Sequence, residues 1–241
     1  MGKIICSWSS PRNISTALMY SFAQRKDTVV VDEPFYAYYL THVNPNVNHP
    51  GKDAILSSQN SNMNQVLLKI NSVSNKEVIF LKNMTHHLEL SDYACCNQWF
   101  NIILTRKPEN AIVSFSKVID QPTIIDLGYK KQFELAVFLK KNKIKFHILH
   151  GENLLKNPEK ELQELCEYAD ISYSNGMLKW KEGGIKEDGT WAKYWYGNVH
   201  RSTGFISPKH DRAVTVPNSL LPLLEECNYF YNKLINMETI N

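Results

Sequence analysis

The sequence predicts an α/β fold, a three-layer sandwich in which helices cover both faces of a central, mainly parallel sheet. Two observations carry the prediction. Short apolar or β-branched runs at residues 4–8, 28–31, 77–81, 100–104 and 145–149 alternate with helix-period segments, the pattern of a parallel sheet wound through crossover helices. Polar and charged residues then fall directly after those runs, at the carboxyl ends of strands where open α/β sheets bind their ligands.

The first run ends in Ser-Ser-Pro-Arg-Asn, and Ser15 and Thr16 open a helix over about residues 15–24. A strand, turn and helix in this order aim free backbone N–H groups and the positive end of a helix dipole at one point, an anion site. Ser10, Pro11, Arg12, Asn13, Ile14, Ser15 and Thr16 are the candidate binding residues, with Arg12 adding a fixed cation and Ser15 and Thr16 adding hydroxyls. The stretch is not a Walker A loop: no glycine follows Gly2 in it and no lysine reaches the anion.

The second run delivers Asp32 and Glu33 to the same edge, with Pro34 ending the pairing. Glu33 is a candidate general base, and capping or pairing with Arg12 is the structural alternative for these carboxylates. Residues 37–43 read as an aromatic helical segment. Residues 44–51, with two prolines and three asparagines, read as a long loop and candidate acceptor lid, with His49 on its surface. A helix over about residues 62–73 leads to the third strand, which is expected to end before Lys82, a possible electrostatic helper, and His86-His87, alternative bases. Adjacent histidines cannot ligate a metal from one helix face and no third ligand is spaced nearby, so no metal site is expected.

After the fourth strand, Arg106-Lys107-Pro108 opens a helix at its proline, and Ser114 lies eight residues beyond Arg106. If that helix folds back along the sheet, both side chains can converge on one anion. A helix over about residues 129–142 and the fifth strand lead to His150-Gly151-Glu152, Asn157-Pro158 and a further amphipathic helix. Beyond residue 171 come an aromatic and basic cluster, from Trp191 through Tyr196 to Arg201 and Gly204, and a closing helix over residues 220–235.

Composition narrows the classes. A chain of 241 residues with 43% hydrophobic content is long enough for one large core. A net charge of +3, spread along the chain without a basic run, fits an anionic small ligand and not a nucleic acid. Five cysteines without CxxC spacing read as reduced and buried. With no apolar run of membrane-span length and no signal-type leader, a cytoplasmic protein without integral membrane association is expected. Oligomeric state is silent.

Residues 11–16 resemble the phosphosulfate-binding loop of sulfotransferases, and Arg106 through Ser114 resemble the segment that family uses for the 3′-phosphate of its nucleotide. Residues 150–171 match a third family segment in architecture, departing from it at His150-Gly151 and Tyr168-Ala169. The resemblance, which covers most of residues 3–171, implies a P-loop NTPase-like fold and transfer of a sulfuryl group from 3′-phosphoadenosine 5′-phosphosulfate (PAPS) to a small-molecule, sugar or lipid hydroxyl or amine. No metal would be required. It also implies the nucleotide-binding role of residues 10–16, Arg106 and Ser114, and the base role of Glu33, with His86 or His87 as the alternative. Arg201 is a looser match to a late loop covering the 3′-phosphate. The whole chain, 1–241, is expected to be one domain, with 172–241 its divergent portion. A small-molecule kinase of the same broad fold and a non-catalytic nucleotide-binding protein are the rival readings.

Overall fold

The computed structural model describes residues 2–46, 48–73, 76–206 and 214–237. Its centre is a five-stranded, wholly parallel sheet of β1 (Lys3–Ser9), β2 (Thr28–Asp32), β3 (Val78–Met84), β4 (Phe100–Thr105) and β5 (Phe146–His150), in the spatial order β2-β3-β1-β4-β5. β1 is therefore central, and the chain leaves it toward opposite sides of the sheet, which opens a crevice at its carboxyl end.

Strand pleat builds the three layers. Ile5, Phe80, Ile102 and Leu104 join one core with α1 (Ser15–Ala23) and the later α9 (Pro158–Tyr168), while Cys6, Trp8, Ile79, Leu81 and Ile103 join another with α4 (Met63–Ser72) and α7 (Tyr129–Lys141). Successive side chains point to opposite faces, so near-continuous apolar strands feed both cores. α5 (Pro108–Phe115) starts on its proline as predicted. The closing helix α12 (Leu221–Ile235) packs on α5 and α7 through Cys227 and Tyr231. Among the described residues no helix is long and apolar enough to cross a membrane.

Three local departures from the sequence reading matter for the site. β3 continues past Leu81 to Met84, so Lys82 and Asn83 lie inside the sheet, where Lys82 pairs in register with Ser7 and Asp32. The ladder can extend through a lysine because its charge meets the two carboxylates that end β2. Residues 36–43 form a turn of α-helix, α2 (Tyr36–Tyr38), that widens into a π-helical turn (Tyr39–Val43), which points several rings toward the crevice. A short helix, α3 (Lys52–Ser58), follows the predicted lid loop; Val47 of that loop lies outside the described residues.

Between these elements lie α6 (Ile124–Leu127), α8 (Gly151–Lys156), α10 (Ala192–Trp195) and α11 (Gly197–His200). The last two cover the crevice from the C-terminal side.

Candidate active site

A cavity of about 440 Å³ opens at the carboxyl ends of the strands. Its floor is the turn between β1 and α1. Arg12 and Ile14 both adopt left-handed backbone conformations, with φ of 64° and 59°. For β-branched Ile14 that conformation is strained, and such strain persists where the surrounding structure holds it for use. Ile14 is also the residue before α1 and carries no side-chain cap, so the first-turn N–H groups of that helix face the cavity without an internal acceptor. Pro11, Asn13, Ser15 and Thr16 line the same floor, and the buried Asn13 amide pins the turn to the sheet by donating to the Leu104 carbonyl at 3.2 Å.

Arg12, Ser114 and Arg106 form one cluster instead of two separate pockets. Arg12 Nε donates to Ser114 Oγ at 2.9 Å, and Arg106 Nη1 donates to the Arg12 carbonyl at 3.0 Å. All three residues line the cavity. Glu152 explains how Arg106 is held: its carboxylate lies 3.6 Å from Arg106 Nε and accepts from the Lys107 N–H and the Asn110 amide at the start of α5. Arg12 has no carboxylate partner among the described residues. Burial lowers its affinity for a proton, and the neighbouring Arg106 lowers it further. Two half-buried guanidinium groups held this close, with one carboxylate between them, favour a further anion, which would replace hydration they have lost.

The opposite wall is built on a buried ionic lock. Lys82 is wholly buried and uses its three N–H groups on Asp32 Oδ1 (3.0 Å), Glu33 Oε1 and the Tyr196 hydroxyl (2.6 Å). Asp32 Oδ2 accepts from the Gly189 N–H, and the Glu33 N–H continues the ladder to the Lys82 carbonyl. Pleat alone would send consecutive side chains to opposite faces; the left-handed backbone of Glu33, φ 39°, lets both carboxylates reach Lys82. Glu33 Oε2 is the oxygen left over. It lies 3.8 Å from His87 Nε2, and Glu33 lines the cavity. Burial pushes the Glu33 carboxyl above its ordinary value, and the Lys82 ammonium pulls against that shift.

Aromatic and imidazole rings complete this wall. His87 stacks between Tyr36 and Tyr39, with ring centroids 4.7 and 4.8 Å away. Burial holds both histidines neutral, pushing His86 down to about 3 and His87 well below its ordinary value.

Several sequence expectations change place. Lys82 does not line the cavity; it neutralises the carboxylates behind the wall. Asp32 turns to Lys82 and Tyr196 and not to the crevice. Ser10 is buried beneath the turn against Gly128. Arg201 is exposed, bonded to Asn198 Oδ1, and not among the lining residues, because α11 turns it outward while Ser202 and Gly204 face in. His49, expected on the loop surface, lines the cavity and bonds the Tyr36 hydroxyl. The role of Tyr196 was missed: its one sequence signal is its place in the late aromatic cluster.

The family model described as "Sulfotransferase domain" matches residues 3–234. Among curated proteins, the chain is 38% identical over 234 residues to branched-chain-amino-acid aminotransferase-like protein 1 of Arabidopsis thaliana, and 36% identical to protein 2 of the same name and plant. Each match covers 96% of this chain but 41% of the relative, so the chain spans about two fifths of the length of these proteins. Among solved structures, the sulfotransferase domain of the Synechococcus PCC 7002 olefin synthase superposes with a TM-score of 0.60 at 15% identity, covering 96% of this chain and 95% of that one. The sulfotransferase domain from the curacin biosynthetic pathway gives 0.58 at 16% identity, with 98% and 99% covered. At these identities the two structures share the fold.

Proposed function

The chain belongs to the sulfotransferase-domain family, and on that premise we propose that it transfers a sulfuryl group from PAPS to a hydroxyl of an uncharged small acceptor. The observation that carries the reading is the Arg12–Ser114–Arg106 cluster over the uncapped start of α1. Its donors suit a doubly anionic nucleotide: backbone N–H groups, two guanidinium groups and the hydroxyls of Ser15, Thr16 and Ser114. Arg12, Ser15 and Thr16 would hold the 5′-phosphosulfate, and Arg106 with Ser114 the 3′-phosphate. PAPS supplies an activated sulfuryl group on an anionic leaving group, a transfer that cationic and N–H donors can support. Loss of one such preorganised donor commonly lowers the rate by about 10²–10³-fold.

Glu33 would take the acceptor proton at Oε2, the oxygen its own network leaves open. Its raised proton affinity suits that task, worth about 10²–10⁴-fold. His86 and His87 bind protons too weakly to compete. The wall around Glu33 presents Tyr36, Tyr39, Trp191 and neutral imidazoles, and behind it two carboxyl groups face one ammonium. Such a wall favours a neutral acceptor with an apolar or aromatic body over an anionic one. Trp191, Trp195 and Tyr196 close the cavity from the divergent C-terminal portion, which supports treating the chain as one functional domain.

Two measurements test the reading. In a thermal-shift comparison, 3′-phosphoadenosine 5′-phosphate (PAP) should stabilise the protein more than ADP or ATP, with or without magnesium; magnesium-dependent stabilisation by ATP would favour a kinase. Glu33→Gln should bind PAP as the parent does while transfer of labelled sulfate from PAPS to a panel of hydroxyl compounds falls at least about 10²-fold. Normal turnover in that variant would remove Glu33 from the chemistry.

A further inference from the structure

Tyr196 caps the short helix α10, more than 160 residues from Asp32 and Glu33, yet its hydroxyl bonds both Lys82 and Asp32 and lies beside Glu33. It accepts from Lys82 Nζ at 2.6 Å and from the Trp191 indole N–H at 2.9 Å, and donates to Asp32, 2.8 Å from each oxygen. A phenol has one proton and two lone pairs. All three are in use, so the hydroxyl has no proton left for Glu33 Oε1, 3.4 Å away.

We infer that Tyr196 is a positioning residue for the proton acceptor: held by Trp191, it fixes Lys82 and Asp32 so that Glu33 presents Oε2, and only Oε2, to the cavity. The inference rests on the assignment of Glu33 as base. It deepens that assignment by naming what aims the carboxylate. The bond count supports it, since Lys82 has as many N–H groups as it has partners and both oxygens of Asp32 are engaged, by Lys82, Tyr196 and the Gly189 N–H. The neighbouring residue ties the same segment to the other end of the cavity, because the Trp195 carbonyl accepts from Arg12 Nη1 at 3.4 Å. Two consecutive residues thus touch the anion-binding arginine and the base network.

Removing the hydroxyl has a definite electrostatic sign. The groups that face Glu33 are Lys82 from β3, Asp32 from β2, His87 from the turn after β3, Tyr36 from α2 and Tyr196 from the end of α10. Without the phenol, Asp32 loses a proton donor and draws Lys82 toward itself. Glu33 then loses part of its cation, and that loss favours its protonated form.

Infrared titration of the carboxyl bands of the ligand-free protein tests this without turnover. Glu33→Gln assigns the Glu33 band. Tyr196→Phe should raise the midpoint of that band by about one pH unit. It should leave PAP affinity within about twofold and lower kcat by about 10²-fold at unchanged KM for PAPS. The acid limb of kcat should move upward by the same amount as the infrared midpoint. A folded Tyr196→Phe whose Glu33 band titrates as in the parent overturns the inference. If that variant does not fold, Trp191→Phe, which removes one donor from the same hydroxyl, must shift the band in the same direction by less, and no shift there overturns it equally. Normal turnover of Glu33→Gln would sink the base assignment alone, and the infrared shift would still decide whether Tyr196 positions the carboxylate.

Discussion

Arg12 and Lys82 are both cations at the carboxyl edge of the sheet, one after β1 and the other near the end of β3, its neighbour. Lys82 is wholly buried and meets two carboxylates, whereas Arg12 is half-buried and meets a hydroxyl, a carbonyl and another cation. The first arrangement is complete, with charge and hydrogen bonds satisfied inside the protein. The second leaves a guanidinium without a carboxylate partner among the described residues, which is why we propose an anion there. On that proposal, a cation that serves the fold and a cation that serves a ligand differ in what they are bonded to, even at neighbouring strand ends.

The same substitution at the two positions should separate them most sharply. Lys82→Met leaves Asp32 and Glu33 buried without their counter-ion and should cost about 3–5 kcal/mol of stability, read by urea unfolding of the ligand-free protein. Arg12→Met should leave ligand-free stability unchanged or slightly higher while PAP affinity, measured by calorimetry, falls by about 1.5–3 kcal/mol, roughly 10–150-fold. Equal losses of stability in the two variants would erase the contrast.

The neutral imidazole wall gives a pH signature that belongs to the locked end. His86 titrates at about 3 in the fold against 6.5 when unfolded, so its contribution is present above pH 6.5 and lost as pH falls toward 3. Across that window it should remove about 1.4 kcal/mol of stability per pH unit, and His87, shifted in the same direction, should act likewise. His86→Gln should flatten the slope of unfolding free energy against pH by one histidine's share; an unchanged slope would mean that His86 is not held neutral. The smallest effect sits at the open end. Ser114→Ala deprives Arg12 Nε of its acceptor and should weaken PAP by about 0.5–1.5 kcal/mol, with stability little changed.

The open end was the more legible of the two. Residues 10–16 declare a strand, turn and helix through local order alone, and Arg106, Pro108 and Ser114 declare a second strand end and helix, because backbone preferences and short spacings act over a few residues. That Arg12 would bond Ser114, merging the two predicted pockets, depends on how α5 packs against the first turn. The locked end was legible only in part. Asp32 and Glu33 could be placed at a strand terminus, but β3 ran on past its predicted end and took Lys82 into the sheet. His49 and Arg201 exchanged places with respect to the cavity, since the direction of a loop or short-helix side chain is set by what covers it.

By itself the sequence determined the parallel α/β architecture, the strand, turn and helix around Arg12 and the residue types at each strand end, all of which follow from periodicity and from chemistry within a dozen residues. Only the tertiary structure decided which cation is paired with carboxylates inside the fold and which has none. It also brought Tyr196 to Lys82 across more than a hundred residues of chain. Bonds of that kind depend on strand register and on the docking of the C-terminal helices, and no local pattern encodes the direction in which a buried donor finds its acceptor.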